Sequence, residues 1–126
     1  QVLALKPDAA ILAGLDVGVV GPAAGSGASA PRGKVGVVGS SDADGIAFEV
    51  RAFFPGNNGL AEDPVTGSLN AALAQSLIGA GLAPAQYVAS QGTCLGRAGR
   101  VHVQQEGDTI WVGGHSVTCM AGEVLL

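Results

Sequence analysis

The sequence predicts an α+β fold in which a curved, mainly antiparallel sheet wraps around one central buried helix at about residues 68–79. The first observation behind this prediction is the segment Ser68–Ile78, which contains no charged residue and few polar ones. A helix that is apolar on nearly all sides is expected to be enclosed by other elements. The second observation is that about six or seven short segments with strand character, separated by turn formers, lie around it in the sequence.

The elements before the helix are marked by alternation and by turn formers. A strand is expected at Val17–Val20, although the apolar pattern there does not separate a strand from a helical turn. The small-residue run 21–33 is interpreted as a surface loop, and Lys34–Val38 as a short strand. After a tight connection over 40–45, apolar residues alternate with others over Ile46–Arg51, which indicates a half-buried strand.

The elements after the helix follow from glycines and short apolar runs. Gly79 and Gly81 are suited to ending the helix. Four further strands are expected at Tyr87–Gln91, Arg100–Gln104, Thr109–Val112 and His115–Cys119. The sequence Glu106-Gly-Asp108 predicts a hairpin turn between the second and third of them.

Composition argues against several classes of function. The chain has 126 residues, of which 48% are apolar, so it is expected to form one domain with a real core. Its six basic residues are scattered and its net charge is −4, which argues against a nucleic-acid-binding surface. The longest apolar stretch, at about Ala71–Ile78, is shorter than the roughly 20 residues needed to cross a bilayer. Because no export signal is recognised, a cytoplasmic protein with Cys94 and Cys119 reduced is expected.

The loop Glu62–Ser68 concentrates the chemistry of the sequence. Pro64 favours an extended backbone at Asp63, so the preceding strand should end here and the helix should begin a few residues later. The first free amides of that helix carry the positive end of its dipole and could bind a carboxylate. The simpler interpretation is that Asp63 is an exposed turn acid and that Thr66 and Ser68 are helix caps.

Two separated blocks carry a family resemblance. The first is Glu62-Asp-Pro-Val-Thr-Gly-Ser68, preceded by Arg51-Ala-Phe-Phe-Pro55. The second is Gln91–Val103, followed near the end of the chain by Gly107–Gly114. In these blocks the sequence resembles the phenazine biosynthesis PhzF-like isomerases, whose fold is that of diaminopimelate epimerase.

The resemblance implies that the chain is one half of a larger active site. Full-length members consist of two similar lobes that face each other, and residues 1–126 are long enough for one lobe only, which the resemblance identifies as the C-terminal half. The general base of the family is a glutamate from the N-terminal lobe, so the isolated chain is expected to be inactive. Its partners are expected to be that lobe and, through the apolar face left open, a second copy in a homodimer.

The resemblance also assigns roles to individual residues. It implies cofactor-independent proton transfer on a small carboxylate-bearing metabolite, with no metal and no cofactor. Asp63 would assist the proton transfer, and Ser68 with the amide of Gly67 would hold the substrate carboxylate. Asn70 stands where many members of the family carry a histidine.

Two alternatives from other classes remain. The chain could be a non-catalytic ligand-binding or assembly module, because half of a two-half site cannot perform acid and base chemistry alone. A zinc site could form from Cys94, His102, His115 and Cys119, but these residues lack the close paired spacing of zinc modules. His102 lies between two valines and is expected on the solvent face of a strand.

Overall fold

A computed structural model of the chain describes residues 1–12, 14–23, 45–57 and 59–125. Its strands are β1 (Val17–Pro22), β2 (Ile46–Gly56), β3 (Gly59–Asp63), β4 (Gln86–Gln91), β5 (Gly99–Glu106) and β6 (Thr109–Gly113), and its helix is α1 (Gly67–Gly79). Short 3₁₀ turns lie at Val2–Ala4 and Thr93–Leu95. Beyond Ala23, the predicted loop 21–33, the strand Lys34–Val38 and nearly all of the connection 40–45 lie outside the described residues.

The six strands form one mixed sheet. Its order is β1-β2-β4-β5-β6, and β3 pairs with the far end of β2 on the same side as β4. Four pairings are antiparallel, and β2 with β4 is parallel. The parallel pair requires a long crossover, which β3 and α1 provide. The predicted α+β class and the largely antiparallel pairing are therefore confirmed.

The core lies between α1 and one face of the sheet. Strands β2, β4 and β5 contribute Val50, Ala89 and Val103, each 1% exposed. The ring of Phe48 meets that of Tyr87 edge-on, with centroids 5.0 Å apart and an angle of 78° between their planes. From α1, partly buried leucines at positions 69, 73 and 77 pack against this cluster. Full burial of a large apolar side chain contributes about 1.5–3 kcal/mol, so this layer stabilises the fold.

The helix is less buried than its composition predicts. Only Asn70 and Ala74 are buried among its residues, whereas eight consecutive residues of β2 are buried. The reason is that α1 packs on β5 and β6 along one side, while Ala72 and Gln75 face away from the sheet. An apolar composition on all sides gives no periodicity that would reveal which side is covered. In the described part of the chain α1 is therefore less buried than β2, and a sheet that encloses the helix stays a prediction.

The ends of two predicted strands also differ from expectation. The strand through Phe54 turns back at Gly56 and returns as β3, a hairpin that the sequence pattern did not reveal. The predicted strand His115–Cys119 is absent, because the chain leaves the sheet after Gly113 and residues 114–125 form no ladder with any described strand. The remaining predicted strands agree with β4, β5 and β6 to within one or two residues.

The described helices can be compared with the length and hydropathy that a membrane span requires. Within residues 1–12, 14–23, 45–57 and 59–125, no helix combines the length and the apolar character needed to span a membrane.

Candidate functional site

A cleft of 530 Å³ opens beside the start of α1. Its walls come from the start of β1, the middle of β2, the end of β3 and the first turn of α1. The lining residues are Asp16, Val17, Gly18, Ala52, Phe53, Phe54, Asp63, Thr66, Ser68 and Leu69. Two of the three residues singled out from the sequence, Asp63 and Ser68, therefore share this cleft. Gly67 does not line it, and a Cβ atom built at Gly67 would meet open space.

Asp63 is the last residue of β3 and is half-buried. Its Oδ1 accepts a hydrogen bond from the backbone N–H of Val65 at 3.3 Å, and its Oδ2 accepts one from the Thr66 hydroxyl at 2.8 Å. A carboxylate that binds the backbone two residues ahead is typical of a turn acid before proline. The turn-acid interpretation of Asp63 is therefore confirmed, and the same carboxylate also lies in the cleft wall.

The first turn of α1 presents free backbone amides. Thr66 occupies the N-cap position with an extended backbone, at φ −118° and ψ 101°. The first intrahelical bond is made by the Asn70 amide, which donates to the Thr66 carbonyl at 3.1 Å. The amides of Gly67, Ser68 and Leu69 precede that bond and carry the partial positive charge of the helix start. An anion in contact with this turn would be favoured electrostatically.

The two hydroxyls of this turn differ from the predicted caps. The Thr66 side chain makes no capping hydrogen bond to the helix, because its hydroxyl donates to Asp63 instead. Ser68 is exposed, and within the described residues its hydroxyl has no hydrogen-bond partner in the protein. The cap interpretation is therefore wrong for the Thr66 side chain, and the Ser68 hydroxyl is available to a ligand.

Two buried amide side chains hold this loop in place, and the sequence did not mark them as site residues. Gln91, the last residue of β4, is 0% exposed, and Asn70 is 1% exposed. The Gln91 Nε2 donates to the Asp63 carbonyl at 3.1 Å and to the Thr66 Oγ1 at 3.0 Å. Its Oε1 accepts from the Thr66 amide at 3.2 Å and from the Asn70 Nδ2 at 2.9 Å. Asn70, at the position where a histidine was noted in the family, thus points into this network and not into the cleft.

Two glycines allow the loop to lie directly on the ends of β4 and β5. Gly92 has φ +89°, and a Cβ there would lie 2.7 Å from the carbonyl oxygen of Pro64. A Cβ at Gly99 would lie 2.6 Å from the backbone carbonyl oxygen of Gln91 and 2.6 Å from a methyl group of Val65. A side chain at either position would push the loop and Gln91 apart. The glycines were visible in the sequence, but only the fold reveals what they approach.

An ion pair ties β3 to β2 behind the cleft. Arg51 donates from Nε to Glu62 Oε1 at 2.9 Å and from Nη2 to Oε2 at 2.8 Å. Its Nη1 also donates to the carbonyls of Val2 at 3.3 Å and Leu5 at 2.7 Å. The hydrogen bonds to Glu62 raise the pKa of the Arg51 guanidinium above its ordinary value, against the lowering effect of burial. This fork holds the N-terminal segment and β3 against the same strand.

The proposed zinc ligands do not converge. The rings of His102 and His115 meet edge-on with centroids 5.8 Å apart. Cys94 and Cys119 are both free and exposed. In the part of the chain that the structure describes, no group of three or more His, Cys, Asp or Glu residues is placed to hold a metal ion. His102 is exposed on β5, as predicted.

Comparison with known proteins identifies a matching family and one similar protein. The family model described as phenazine biosynthesis-like protein matches residues 18–122, which include β1 from Gly18 onward, the loop Glu62–Ser68 and all of α1. A protein of Pasteurella multocida (strain Pm70), named as an uncharacterized isomerase, is 37% identical over 78 residues. That match covers 61% of this chain and 27% of the relative, so the chain corresponds to a minor part of that protein. No solved structure matches the chain. The family match extends over most of the chain, and the chain therefore belongs to the phenazine biosynthesis-like protein family.

Proposed function

We propose that the chain is the C-terminal lobe of a cofactor-independent isomerase that moves a proton on a small carboxylate-bearing metabolite. The observation that carries the proposal is the convergence of Asp63 and Ser68 on one cleft at the start of an uncharged helix. Membership in the family and the isomerase name of the Pasteurella relative support an isomerase class of reaction. An epimerase-like fold, in which the sheet closes around α1, is part of this proposal.

Substrate binding is assigned to the first turn of α1. The Ser68 hydroxyl, with no partner among the described residues, would donate to the substrate carboxylate, and the Gly67 amide would donate beside it. Gly67 is not among the residues that line the cleft, so its role rests on the family resemblance and on the position of its N–H at the start of the helix. Fixed donors at a helix start also stabilise negative charge that grows on the carboxylate as a proton leaves the neighbouring carbon.

Proton transfer is assigned to Asp63 together with a base from outside the chain. Asp63 lies in the cleft wall with both oxygens already held by the loop, which would orient the carboxylate toward a bound substrate. A second acid–base group is needed for proton removal and return. In the proposal it is a glutamate of an N-terminal lobe that faces the cleft, and the isolated chain is inactive.

The same arrangement leads to proposals about partners. The cleft is open to solvent, and an N-terminal lobe would dock over its opening. In its absence the apolar residues at this opening would favour a homodimer. No cofactor or metal is assigned a role in the reaction, and the proposed compartment is the cytoplasm.

Deuterium incorporation tests the proposal even when the product has not been identified. The chain, with and without the N-terminal lobe, is incubated in D₂O with a panel of amino acids and 2-hydroxy acids, and deuterium on carbon is measured by mass spectrometry and NMR. We expect incorporation into at least one acid when both lobes are present. No incorporation into any member of the panel with both lobes present would contradict the proposal.

The rival function is a non-catalytic ligand-binding or assembly module. The observation that favours it is the same open cleft. One lobe whose cleft is lined by the first turn of α1, with its free amides, and by the Asp63 carboxylate can bind an anion without any proton transfer. If the chain is such a module, addition of a carboxylic acid should shift the NMR resonances of the Ser68 and Leu69 amides. The acid should stay unlabelled in the deuterium experiment.

A further inference from the structure

We propose that Gln91 is a positioning residue that fixes the direction of the Thr66 hydroxyl and thereby presents Asp63 to the cleft. The inference rests on the proposed function, in which Asp63 takes part in proton transfer. Gln91 is fully buried and does not line the cleft, so it acts through other residues. Three steps lead from its amide to the carboxylate.

The first step is that the partners of Gln91 permit one orientation of its amide. A glutamine amide offers two N–H donors and an oxygen with two lone pairs. All four are used, with Nε2 donating to the Asp63 carbonyl and the Thr66 hydroxyl, and Oε1 accepting from the Thr66 and Asn70 nitrogens. A flipped amide would set oxygen against the Asp63 carbonyl and N–H against the Thr66 N–H, and both contacts are repulsive. The hydrogen-bond partners therefore determine which end is oxygen.

The second step concerns the Thr66 hydroxyl, which has one hydrogen. Because Nε2 of Gln91 can only donate, Oγ1 must accept from it at 3.0 Å. The hydroxyl hydrogen is then left for Asp63 Oδ2, 2.8 Å away. The resulting chain from Gln91 through Thr66 to Asp63 has a fixed direction and ends on the carboxylate.

The third step is that the same amide holds the backbone of Asp63. Its second N–H bonds the Asp63 carbonyl at 3.1 Å, so both the backbone and, through Thr66, the side chain of Asp63 depend on Gln91. Gln91→Glu keeps the shape of the side chain but removes both donors. The carboxylate would draw the Thr66 hydrogen to itself and repel the Asp63 carbonyl, which would release Asp63 from its position.

The test uses both lobes and the acid of the panel that incorporates deuterium fastest. We expect Gln91→Glu to lower kcat at least tenfold while KM changes less than twofold, because the groups assigned to carboxylate binding are left in place. Gln86→Glu, the same change at the exposed start of β4, is the matched control and should keep kcat within twofold. A kcat for Gln91→Glu equal to that of the control would overturn the inference while leaving the proposed function intact.

A second pair of variants decides the question if Gln91→Glu does not fold. Thr66→Val removes the hydroxyl and leaves Gln91 in place, and it should lower kcat at least tenfold. Thr66→Ser keeps the hydroxyl and should restore most of the rate. Normal turnover by Thr66→Val would overturn the inference. If the wild-type lobes incorporate no deuterium into any acid, the result contradicts the proposed function and therefore also the role of Gln91.

Discussion

The polar side chains near the start of α1 differ in whether their hydrogen-bonding groups are used within the protein or are left for a ligand. Asp63 accepts one hydrogen bond at each carboxylate oxygen within the loop, retains capacity for others, and lines the cleft. Thr66 is fully engaged between Gln91 and Asp63. Ser68, two residues further along the chain, has no partner among the described residues and is the exposed hydroxyl of the cleft wall. At the scale of residues, this division separates groups that hold the loop from groups that can meet a ligand.

Asp63→Asn and Ser68→Ala should each impair deuterium incorporation far more than they impair folding. Loss of a proton-transfer group commonly lowers the rate by a factor of about 10² to 10⁴. Asp63→Asn weakens at most a local hydrogen bond at the helix start, which costs about 1 kcal/mol of unfolding free energy. Ser68→Ala removes a hydroxyl that has no partner among the described residues. Rates with both lobes and melting temperatures of each variant provide the two measurements.

Matched controls for these variants lie elsewhere in the chain. Asp8 closes a similar turn, with its Oδ1 accepting from the amides of Ala10 at 2.9 Å and Ile11 at 3.3 Å, but it lies outside the cleft. Ser76 is exposed on the same helix. Asp8→Asn and Ser76→Ala should leave the rate unchanged. If Asp63→Asn keeps near-normal turnover and only lowers the melting temperature, Asp63 is a turn acid alone.

Tyr87 should make the domain lose stability in alkali. Burial raises the pKa of its phenol above the ordinary value of 10.0 because the charged form is desolvated. In the unfolded chain the phenol ionises first, so its contribution is complete below the unfolded pKa and is lost as pH rises through the folded one. The loss is at most about 1.4 kcal/mol per pH unit. Urea unfolding across this pH range should show a smaller decline of the unfolding free energy for Tyr87→Phe than for the wild type. Equal declines would show that Tyr87 is not the cause.

At the residue scale, nearby partners were easier to predict than distant ones. The placement of Asp63 and Ser68 at one helix mouth follows from Pro64 and the start of the apolar run, which fix the local backbone. Gln91 lies 25 positions beyond Thr66, and nothing in a strand that ends in Gln-Gly indicates which loop its amide will meet. Only the parallel pairing of β2 with β4 brings the two together.

Elements differ in how well their patterns predict them. Strands with clean alternation, such as β2 and β5, were found because apolar residues recur at every second position along them. The β3 strand was missed because its five residues directly follow a turn at Gly56 and carry little alternation. The helix was located correctly but its burial was overestimated, since composition cannot tell an enclosed helix from one that lies on an open sheet.

Amide hydrogen exchange should therefore be slowest in the central strands and not in α1. The amides around Val50 and Ala89 belong to strands with a neighbour on either side and side chains that are 1% exposed. The amides of Ala72 and Gln75 lie on the outer side of α1, where fewer contacts must break for a local opening. Exchange followed by NMR distinguishes the two groups, and slower exchange at Ala72 than at Val50 would support an enclosed helix instead.

Several large apolar side chains are exposed in the part of the chain that the structure describes. Phe54 on β2 and Val65 within the loop Glu62–Ser68 are 40% and 44% exposed. In the segment after β6, Val117 and Met120 are 84% and 92% exposed. Burial of such exposed apolar groups against a partner would favour association.

The isolated chain should self-associate, with a dimer as the expected species. Sedimentation velocity over a range of concentrations would reveal a rising average mass, because contact buries the exposed apolar residues. Addition of the N-terminal lobe is the control, since a lobe that docks over the cleft should compete with the second copy. Strictly monomeric sedimentation at high concentration would contradict this expectation.

The bare backbone of Gly18 has a consequence for ligand size. A methyl group added there would collide with the side chain of Leu69, and both residues line the cleft. The leucine side chain is flexible, so it would yield into the cavity before the backbone moved. Gly18→Ala and Gly18→Val would then form a graded series of narrower cavities with unchanged charge and hydrogen bonding. Such a series would measure the bulk of the ligand separately from the strength with which its carboxylate is bound.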